Sequence, residues 1–333
     1  MSKVIGIDLG TANTLVYVKN KGIVLNEPSV VAFDRANRKV TAVGDDAKRM
    51  LGKTPGNIIA KRPLKDGVIA DFDVTTKMLR FFFDKVNASG IMSRPMVAVC
   101  IPYGVTEVER RAVEDATWEA GAKDVALIDE PVAAAIGSGL KITSPRGSMI
   151  VDVGGGTTEV AVLSLNGIVE SRSTRAAGNA LDESIVNYMK LEHHVLIGDS
   201  TAEMLKYTIG SAHPGMDRGE TEVRGSSTRS GLPTVIKITS AQMRDAMREP
   251  LEAIIGTIRQ VLERTPPELS ADILDYGIML SGGGALLSGL STLISERTGV
   301  RVTVAKKPLE SVCLGIGRAI EGQAPDVLQF RGR

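Results

Sequence analysis

Cysteine is almost missing: Cys100 and Cys313 are the only two among 333 residues. Two thiols cannot make a disulfide framework, and both lie in apolar stretches where Cys behaves as a small buried hydrophobe, so a reducing cytosol is expected. An excess of charge is missing too, since 40 Lys and Arg stand against 39 Asp and Glu, a net charge of +1. Proteins that neutralise many phosphates carry a basic surplus, so the chain as a whole does not read as a nucleic-acid binder, although a local patch stays open. No long hydrophobic run occurs. The densest, residues 95–102, is strand-sized rather than the ~20 residues that span a bilayer, and Asp8 cuts the apolar residues 4–7 before they could form a signal peptide. The chain is therefore expected in the cytosol, reaching a membrane only from its surface. Its 43% apolar and 24% charged residues exclude a largely disordered chain. At roughly 100–200 residues per domain, the length suggests two domains.

The chain repeats itself once, at long range. An apolar strand, an Asp, a turn of small residues and a second apolar strand run from Val4 through Asp8 to Val18, and the same order runs from Ser148 through Asp152 to Val162. Each copy leads into a hairpin signal, Asn20-Lys21-Gly22 in one and Asn166-Gly167 in the other. In the first half a strand at 96–101 then precedes a helix at 106–120; in the second a strand at 277–280 precedes Gly282-Gly283-Gly284 and a helix at 285–297. Each half ends with a short strand, a Pro and a helix stopping near Gly: 125–128 with Pro131 and Gly137, and 300–304 with Pro308 and Gly317. Pro fits a first helical turn because that N–H has no intrahelical partner. Two similar α/β halves facing each other imply mixed or parallel sheets, ligand loops at strand ends and a cleft between.

Insertions separate these shared elements. Residues 32–73 are polar and rich in Gly, Pro and basic side chains. Residues 181–267 hold helical segments, a loop at 211–231, a β-rich stretch at 233–239, and Ser240 placed as the N-cap of a helix interrupted at Pro250. Both insertions would flank the mouth of the cleft.

Two facing Asp turns suit a polyphosphate. Tight Gly/Thr/Asn turns can aim backbone N–H groups and hydroxyls at phosphate, and their small residues allow close approach. Asp8 and Asp152, at the ends of buried strands, would bring two carboxylates to the same place, which fits Mg²⁺ held through one or two carboxylates plus phosphate oxygens. One such turn alone is as well explained by a hydrogen-bonded strand end; the pairing of two copies favours the ligand site. Gly282, Gly283 and Gly284 with Ala285 open a helix after a strand, a place where the adenosine part of a ligand can lie against backbone, though close packing also produces such turns. In Ile128-Asp129-Glu130-Pro131, Glu130 stands where it can polarise a water that attacks a γ-phosphate, and solvated loop acids remain the alternative.

These motifs resemble the actin/Hsp70/sugar-kinase ATPase superfamily and, within it, closely resemble the MreB/Mbl family of bacterial actin homologues. The resemblance rests on the stretches around Gly6-Ile7-Asp8-Leu9-Gly10-Thr11-Ala12-Asn13, Glu27-Pro28-Ser29-Val30-Val31, Arg62-Pro63-Leu64-Lys65-Asp66-Gly67, Asp152-Val153-Gly154-Gly155-Gly156-Thr157-Thr158-Glu159 and Ser281-Gly282-Gly283-Gly284-Ala285, and covers essentially the whole chain. It implies an α/β, actin-like ATPase fold with two related RNase H-like halves around a nucleotide cleft, each carrying an inserted subdomain. The expected halves are residues 1–140, with an insertion at about 32–73, and 141–307, with an insertion at about 181–245; a C-terminal helix at about 308–333 packs back on the first. The cofactors implied are ATP and Mg²⁺. Phosphate contacts fall on Thr11, Ala12, Asn13 and Gly154, Gly155 and Gly156, with Asp8 and Asp152 near the metal through water and Glu130 as the hydrolytic residue. The nucleoside helix falls on Glu203, Met204, Leu205 and Lys206, and the adenosine loop on Gly282 to Ala285. For Glu203 and Lys206, an ordinary surface pair three residues apart is the reading from spacing alone.

The resemblance also implies a slow ATPase that polymerises into membrane-associated filaments, directs cell-wall synthesis and maintains rod shape. Its partners would be further copies in protofilaments paired antiparallel, the inner face of the cytoplasmic membrane, and the cell-wall elongation machinery, with no nucleic acid. The breakers around Ile91 and Met92 place these two apolar residues on a loop beside Arg94, expected to form a weak membrane contact strengthened by polymerisation. At 100° per turn step, Ala112, Ala116, Ala120 and Val113 fall within about 140° of Val108 on one face of the helix at 106–120, while Trp118 falls opposite, at about 280°. An outward Trp is a favoured interface anchor, and the resemblance implies that this helix takes part in pairing protofilaments, so Trp118 is expected at that lateral contact. Phe81-Phe82-Phe83 reads with Met78, Leu79 and Val86 as a buried helix, and His193-His194 lacks further ligands at metal spacing. A sugar-kinase-like phosphotransferase would need a base and a substrate pocket, neither identifiable. An Hsp70-like ATPase would need a peptide-binding domain after the last shared helix.

Overall fold

The computed structural model describes residues 3–86, 94–324, 327–328 and 330. Strands β1 (Val4–Leu9), β2 (Asn13–Val18) and β3 (Gly22–Pro28) form an antiparallel meander, and β4 (Met96–Ile101) and β5 (Asp124–Asp129) continue it in parallel beyond β1, in the order β5-β4-β1-β2-β3. The second sheet has β6 (Ser148–Val153), β7 (Thr158–Ser164), β8 (Gly167–Thr174), β9 (Ile278–Ser281) and β10 (Val302–Val304), in the order β8-β7-β6-β9-β10. Strand order and direction are therefore the same in both, centred on the strand that carries the Asp. The central strands are buried on both faces, β6 along its whole length, which is why they read as unbroken apolar runs rather than as alternating ones.

Helix α1 (Phe72–Lys85) starts at Asp71, whose side chain accepts from Val74 N–H, and buries Val74, Met78, Leu79, Phe82 and Phe83. Phe81 faces outward, 40% exposed, because three consecutive helical positions cannot share one face. Asp71 also accepts from Lys61 at 2.9 Å and Arg38 at 2.8 Å. Burial raises its pKa, but those donors and the cap outweigh it and bring the carboxyl down to about 2. One residue thus ties the first insertion to α1. Helix α2 (Glu107–Ala120) has a capping box between Thr106 and Glu109. Its buried face is Val113, Ala116, Thr117 and Ala120. Val108 is 80% exposed, so the apolar face is turned from the expected one, and Trp118 lies half-buried against the first core.

Helix α3 (Glu130–Ser138) follows β5 with Pro131 in its first turn; α4 (Gly178–Glu192) and α5 (Asp199–Thr208) precede the second insertion's sheet. The segment expected to be a loop at 211–231 contains a strand, Glu220–Ser227, paired with Pro233–Thr239 and with Val195–Leu196. Thr239, not Ser240, caps α6 (Ser240–Ala246), through a box with Gln242. The break before α7 (Arg248–Arg264) falls at Met247, and Pro250 sits in the first turn of α7, where its missing N–H costs nothing. After α8 (Pro267–Tyr276) and β9, residues Gly283–Leu286 make only one 3₁₀ turn; Gly289, with φ 75°, separates it from α9 (Leu290–Thr298), so the helix expected from residue 285 begins later. The second hairpin turns on Leu165 and Asn166, φ 51° and 62°, one residue ahead of the expected pair.

The chain closes with α10 (Ser311–Ile320) against α3 and β1. Gly137 and Gly317 do not end helices. Gly137 lies inside α3, and a Cβ there would collide with the Ser311 carbonyl, just as one on Gly315 would collide with that of Ala133. These glycines let the two helices touch backbone to backbone. Around them a shared core joins Ala98, Cys100 and Ile128 of the first sheet to Ile150, Ala161 and Leu163 of the second, through Ile316 and Ile320 of α10. Each sheet has its own larger core beside this one.

Candidate functional site

The two Asp turns meet. An ideal Cβ on Gly155 would lie 2.6 Å from Ala12 Cβ, and one on Gly156 would lie 2.5 Å from Thr11 Oγ1, so neither position tolerates a side chain without movement. Both turns are braced from behind. Ser29 Oγ donates to the Gly10 carbonyl at 2.6 Å and Ser29 N–H to the Ala12 carbonyl at 3.0 Å. The first N–H groups of α4, from Gly178 and Asn179, donate to the carbonyls of Gly154 and Gly155 at 3.0 and 2.8 Å. With those carbonyls occupied and the Gly154 N–H donating to the Thr157 carbonyl at 2.9 Å, the backbone of the turns is held in place against the cleft. Thr11 is buried, and its Oγ1 accepts from Gly67 N–H at 3.0 Å, which seats the Asp66-Gly67 hairpin of the first insertion on the phosphate turn.

Asp8, Glu130 and Asp152 line the cleft together with both turns. Burial, then the neighbouring Asp152 charge, pushes Asp8 up to about 7. Asp152 is also raised by burial, partly offset by its bonds to Ser281 Oγ and Glu130. Glu130 is raised well above the ordinary carboxylate range, by burial and then by the Asp152, Glu159 and Asp8 charges. Glu159, paired with Asp152 across β6 and β7, is pushed up to about 7 by burial, against the opposing bond from Ser173 Oγ at 2.6 Å. The charges of Asp8, Glu130, Asp152 and Glu159 thus repel one another across this part of the cleft. Among the described residues no group of three or more His, Cys, Asp or Glu side chains is placed to hold a metal ion.

The other end of the cleft is walled by Gly282, Gly283 and Gly284. Cβ atoms on Gly282 and Gly284 would strike Val153, so this wall is flat backbone. Lys206 is buried and fixed, 2.8 Å from Asp182 and donating to the Gly178 carbonyl at 2.9 Å. Glu203 also lines the cleft and pairs with Lys48 of the first insertion. Met204 is 40% exposed, while Leu205 and Ala285 are buried in the second core; these three are absent from the cleft wall, because one helical turn presents only part of its circumference. The wall instead includes Asn26, Asn179, Asp182 and Tyr207, which no motif singled out, and Arg62, which opens one of the family stretches. The cleft opens to solvent at its mouth, and the space within and in front of it, open solvent included, is about 1400 Å³. Ile91 and Met92 lie outside the described residues.

The chain matches the MreB/Mbl protein family over residues 2–326. It belongs to that family. It is 51% identical to the cell shape-determining protein Mbl of Bacillus subtilis over 94% of each chain, and 53% identical to the cell shape-determining protein MreB of Escherichia coli over 95% of this chain and 93% of that one. Among solved structures, MreB5 of Spiroplasma citri bound to ADP superposes with a TM-score of 0.92 at 36% identity, over 98% of this chain and 99% of that chain; its AMPPNP-bound form gives 0.93, over 98% of each chain. The MamK double helical filament, at 22% identity and 0.82 over 96% of this chain and 99% of that chain, shares the fold. The architecture of this MreB/Mbl member is thus the actin-like one that its motifs implied.

Proposed function

We propose that this MreB/Mbl protein binds ATP with Mg²⁺ between its halves, hydrolyses it slowly, and polymerises into filaments on the inner face of the cytoplasmic membrane that direct cell-wall synthesis and maintain rod shape. The observation that carries the nucleotide part is the meeting of Gly155 with Ala12 and Gly156 with Thr11, two phosphate-type turns from separate halves brought within contact of each other. A relative's structures hold ADP and AMPPNP. Thr11, Ala12, Asn13, Gly155 and Gly156 hold the phosphates, with Gly154, whose own N–H donates to the Thr157 carbonyl, lining the same turn, and Asp8 and Asp152 face the metal through water. When bound, Mg²⁺ supplies charge that offsets the phosphates and these carboxylates. Glu130, at the start of α3, orients and polarises the attacking water. Glu203 and Lys206 face the nucleoside, and the flat wall of Gly282 to Gly284 takes the base.

Because ligands of one half are tied through α3 and α10 to those of the other, nucleotide binding favours one closure of the halves, and that closure favours assembly. Ile91 and Met92, with exposed Arg94 beside them, form the membrane contact, and the half-buried Trp118 on α2 offers its remaining face at the lateral contact between antiparallel protofilaments. Among the described residues no helix is long and apolar enough to cross a membrane, which suits peripheral attachment by many weak contacts. The test is electron microscopy and pelleting of the purified protein with ATP and Mg²⁺, with and without lipid vesicles. Filaments that form with ATP and gather on vesicles are expected; no assembly under any of these conditions would remove the cytoskeletal reading.

A further inference from the structure

Lys48, which meets Glu203 across the mouth of the cleft, stands on a helix of a single turn, Asp45–Lys48. One turn has little stability of its own, because nucleating a helix fixes several residues for one hydrogen bond. Where Lys48 stands therefore depends on what holds that turn from outside. Two bonds hold its start, both from the end of β3 and the residues just after it. Gly44 N–H donates to the Val30 carbonyl at 2.9 Å, and Asp45 N–H donates to the Glu27 carboxylate at 2.9 Å. Ala47 packs with Val30 and Ala32 beneath.

Glu27 is built into this place. Its side chain is 12% exposed, one oxygen accepts from Lys85 at the end of α1, and the other accepts from Asp45 N–H. Gly44 has φ 70°, and a Cβ there would overlap the Glu27 carboxylate, so the turn can lie against Glu27 only because residue 44 has no side chain. The backbone that carries Glu27 is fixed in turn. Thr14 of β2 stands opposite it, and Ser29, two residues on, is tied to the Gly10 and Ala12 carbonyls of the first Asp turn. A carboxylate on so firm a base also suits a helix start, where the unpaired N–H groups carry partial positive charge.

We propose that Glu27 is a positioning residue for nucleotide retention: by holding the Asp45 N–H it aims Lys48 at Glu203 and so keeps the two sides of the cleft mouth together. Glu27 is absent from the cleft wall, and it acts through the turn and Lys48 rather than by touching the nucleotide. Without that bond the turn loses half of what anchors its start, Lys48 leaves Glu203, and the nucleotide escapes sooner. This role rests on the nucleotide reading above and adds to it a residue of the first sheet that sets how long the nucleotide stays.

The test follows release of a fluorescent ADP analogue by stopped-flow from wild type, Glu27→Ala, Lys48→Ala, the double variant and Asp45→Pro. Glu27→Ala should release the analogue about three- to fivefold faster than wild type, the scale of a partly exposed ion pair. Lys48→Ala should match it, and the double variant should be no faster than either single one, because both changes undo the same contact. Asp45→Pro removes the N–H that Glu27 accepts from, at a first helical position where Pro fits, and leaves Glu27 and Lys48 in the chain. It should release as fast as Glu27→Ala, and it decides the matter should Glu27→Ala fail to fold. An unchanged rate in Glu27→Ala, Lys48→Ala or Asp45→Pro would overturn the proposal, as would a double variant whose acceleration is the product of the two single ones. Wild type that binds no nucleotide would sink the nucleotide reading and this proposal with it, whereas binding with release indifferent to Glu27 sinks only the proposal.

Discussion

The Lys48 ammonium lies 3.0 Å from the Glu203 carboxylate, joining the first insertion to α5 across the mouth of the cleft. The residues are 155 positions apart, and no other ion pair between these two segments appears among the described residues. A partly exposed pair contributes up to about 1 kcal/mol, enough to bias opening without locking the cleft.

Removing that pair should loosen the mouth. Lys48→Ala is expected to release a fluorescent ADP analogue several-fold faster than wild type in stopped-flow, with little change in the unfolding midpoint. An unchanged release rate would show that the bridge does not gate the cleft.

The phosphate turns should not accept a methyl group. Gly155→Ala forces its Cβ against Ala12, so the second turn must shift and its N–H groups lose their aim. We expect ATP affinity to fall by at least about tenfold, roughly 1.4 kcal/mol, in a calorimetric titration, while far-ultraviolet circular dichroism stays as in wild type.

The carboxylate cluster predicts a pH dependence. Asp8, ordinarily near 3.8, titrates at about 7 in the fold, so the folded state holds its proton longer than the unfolded chain does. That contribution to stability is complete below about pH 4 and is lost as pH rises through about 7. Without nucleotide, the protein should therefore unfold at lower temperature at pH 8 than at pH 5.5. Asp8→Asn, which carries no charge to bury, should raise the midpoint at pH 8 by roughly 2–5 °C and flatten the profile, while weakening Mg²⁺-ATP binding. A profile as steep as wild type in differential scanning calorimetry would contradict this account.

The core shared by the two sheets should be intolerant of added volume. Gly137→Ala pushes a methyl group into the Ser311 carbonyl where α3 meets α10. Overpacking of this kind costs roughly 1–3 kcal/mol, read as a lower urea midpoint with an unchanged slope. A midpoint equal to wild type would mean that the helices separate at no cost.

Much of this was legible because it is local and doubled. The two Asp-to-turn strands differ in letters but keep the same order of apolar, acidic and small residues, and a repeated order survives where a single motif is ambiguous. Strand β4 occupies the residues its apolar run indicates, and α2 is capped where Thr106 precedes Glu109 by three. Errors came where tertiary contact overrode local punctuation. Gly137 and Gly317 look like helix ends from sequence, yet serve as interior points of close approach. Val108 belongs to the apolar stripe on paper, but α2 meets its sheet on a face centred nearer Val113 and Thr117. Met204 and Leu205 belong to the right helix and point away from the cleft.

The sequence by itself determined the two-halved plan, the paired Asp turns and the family, because hydrophobic period, turn chemistry and repeat order are properties of short stretches read along the chain. Only the tertiary structure decided which distant groups meet: Lys48 with Glu203 and Gly155 with Ala12. Those pairings depend on how two sheets and their insertions pack in space, where burial alters a carboxylate's proton affinity and a methyl group's worth of room decides what fits, and sequence spacing carries neither quantity.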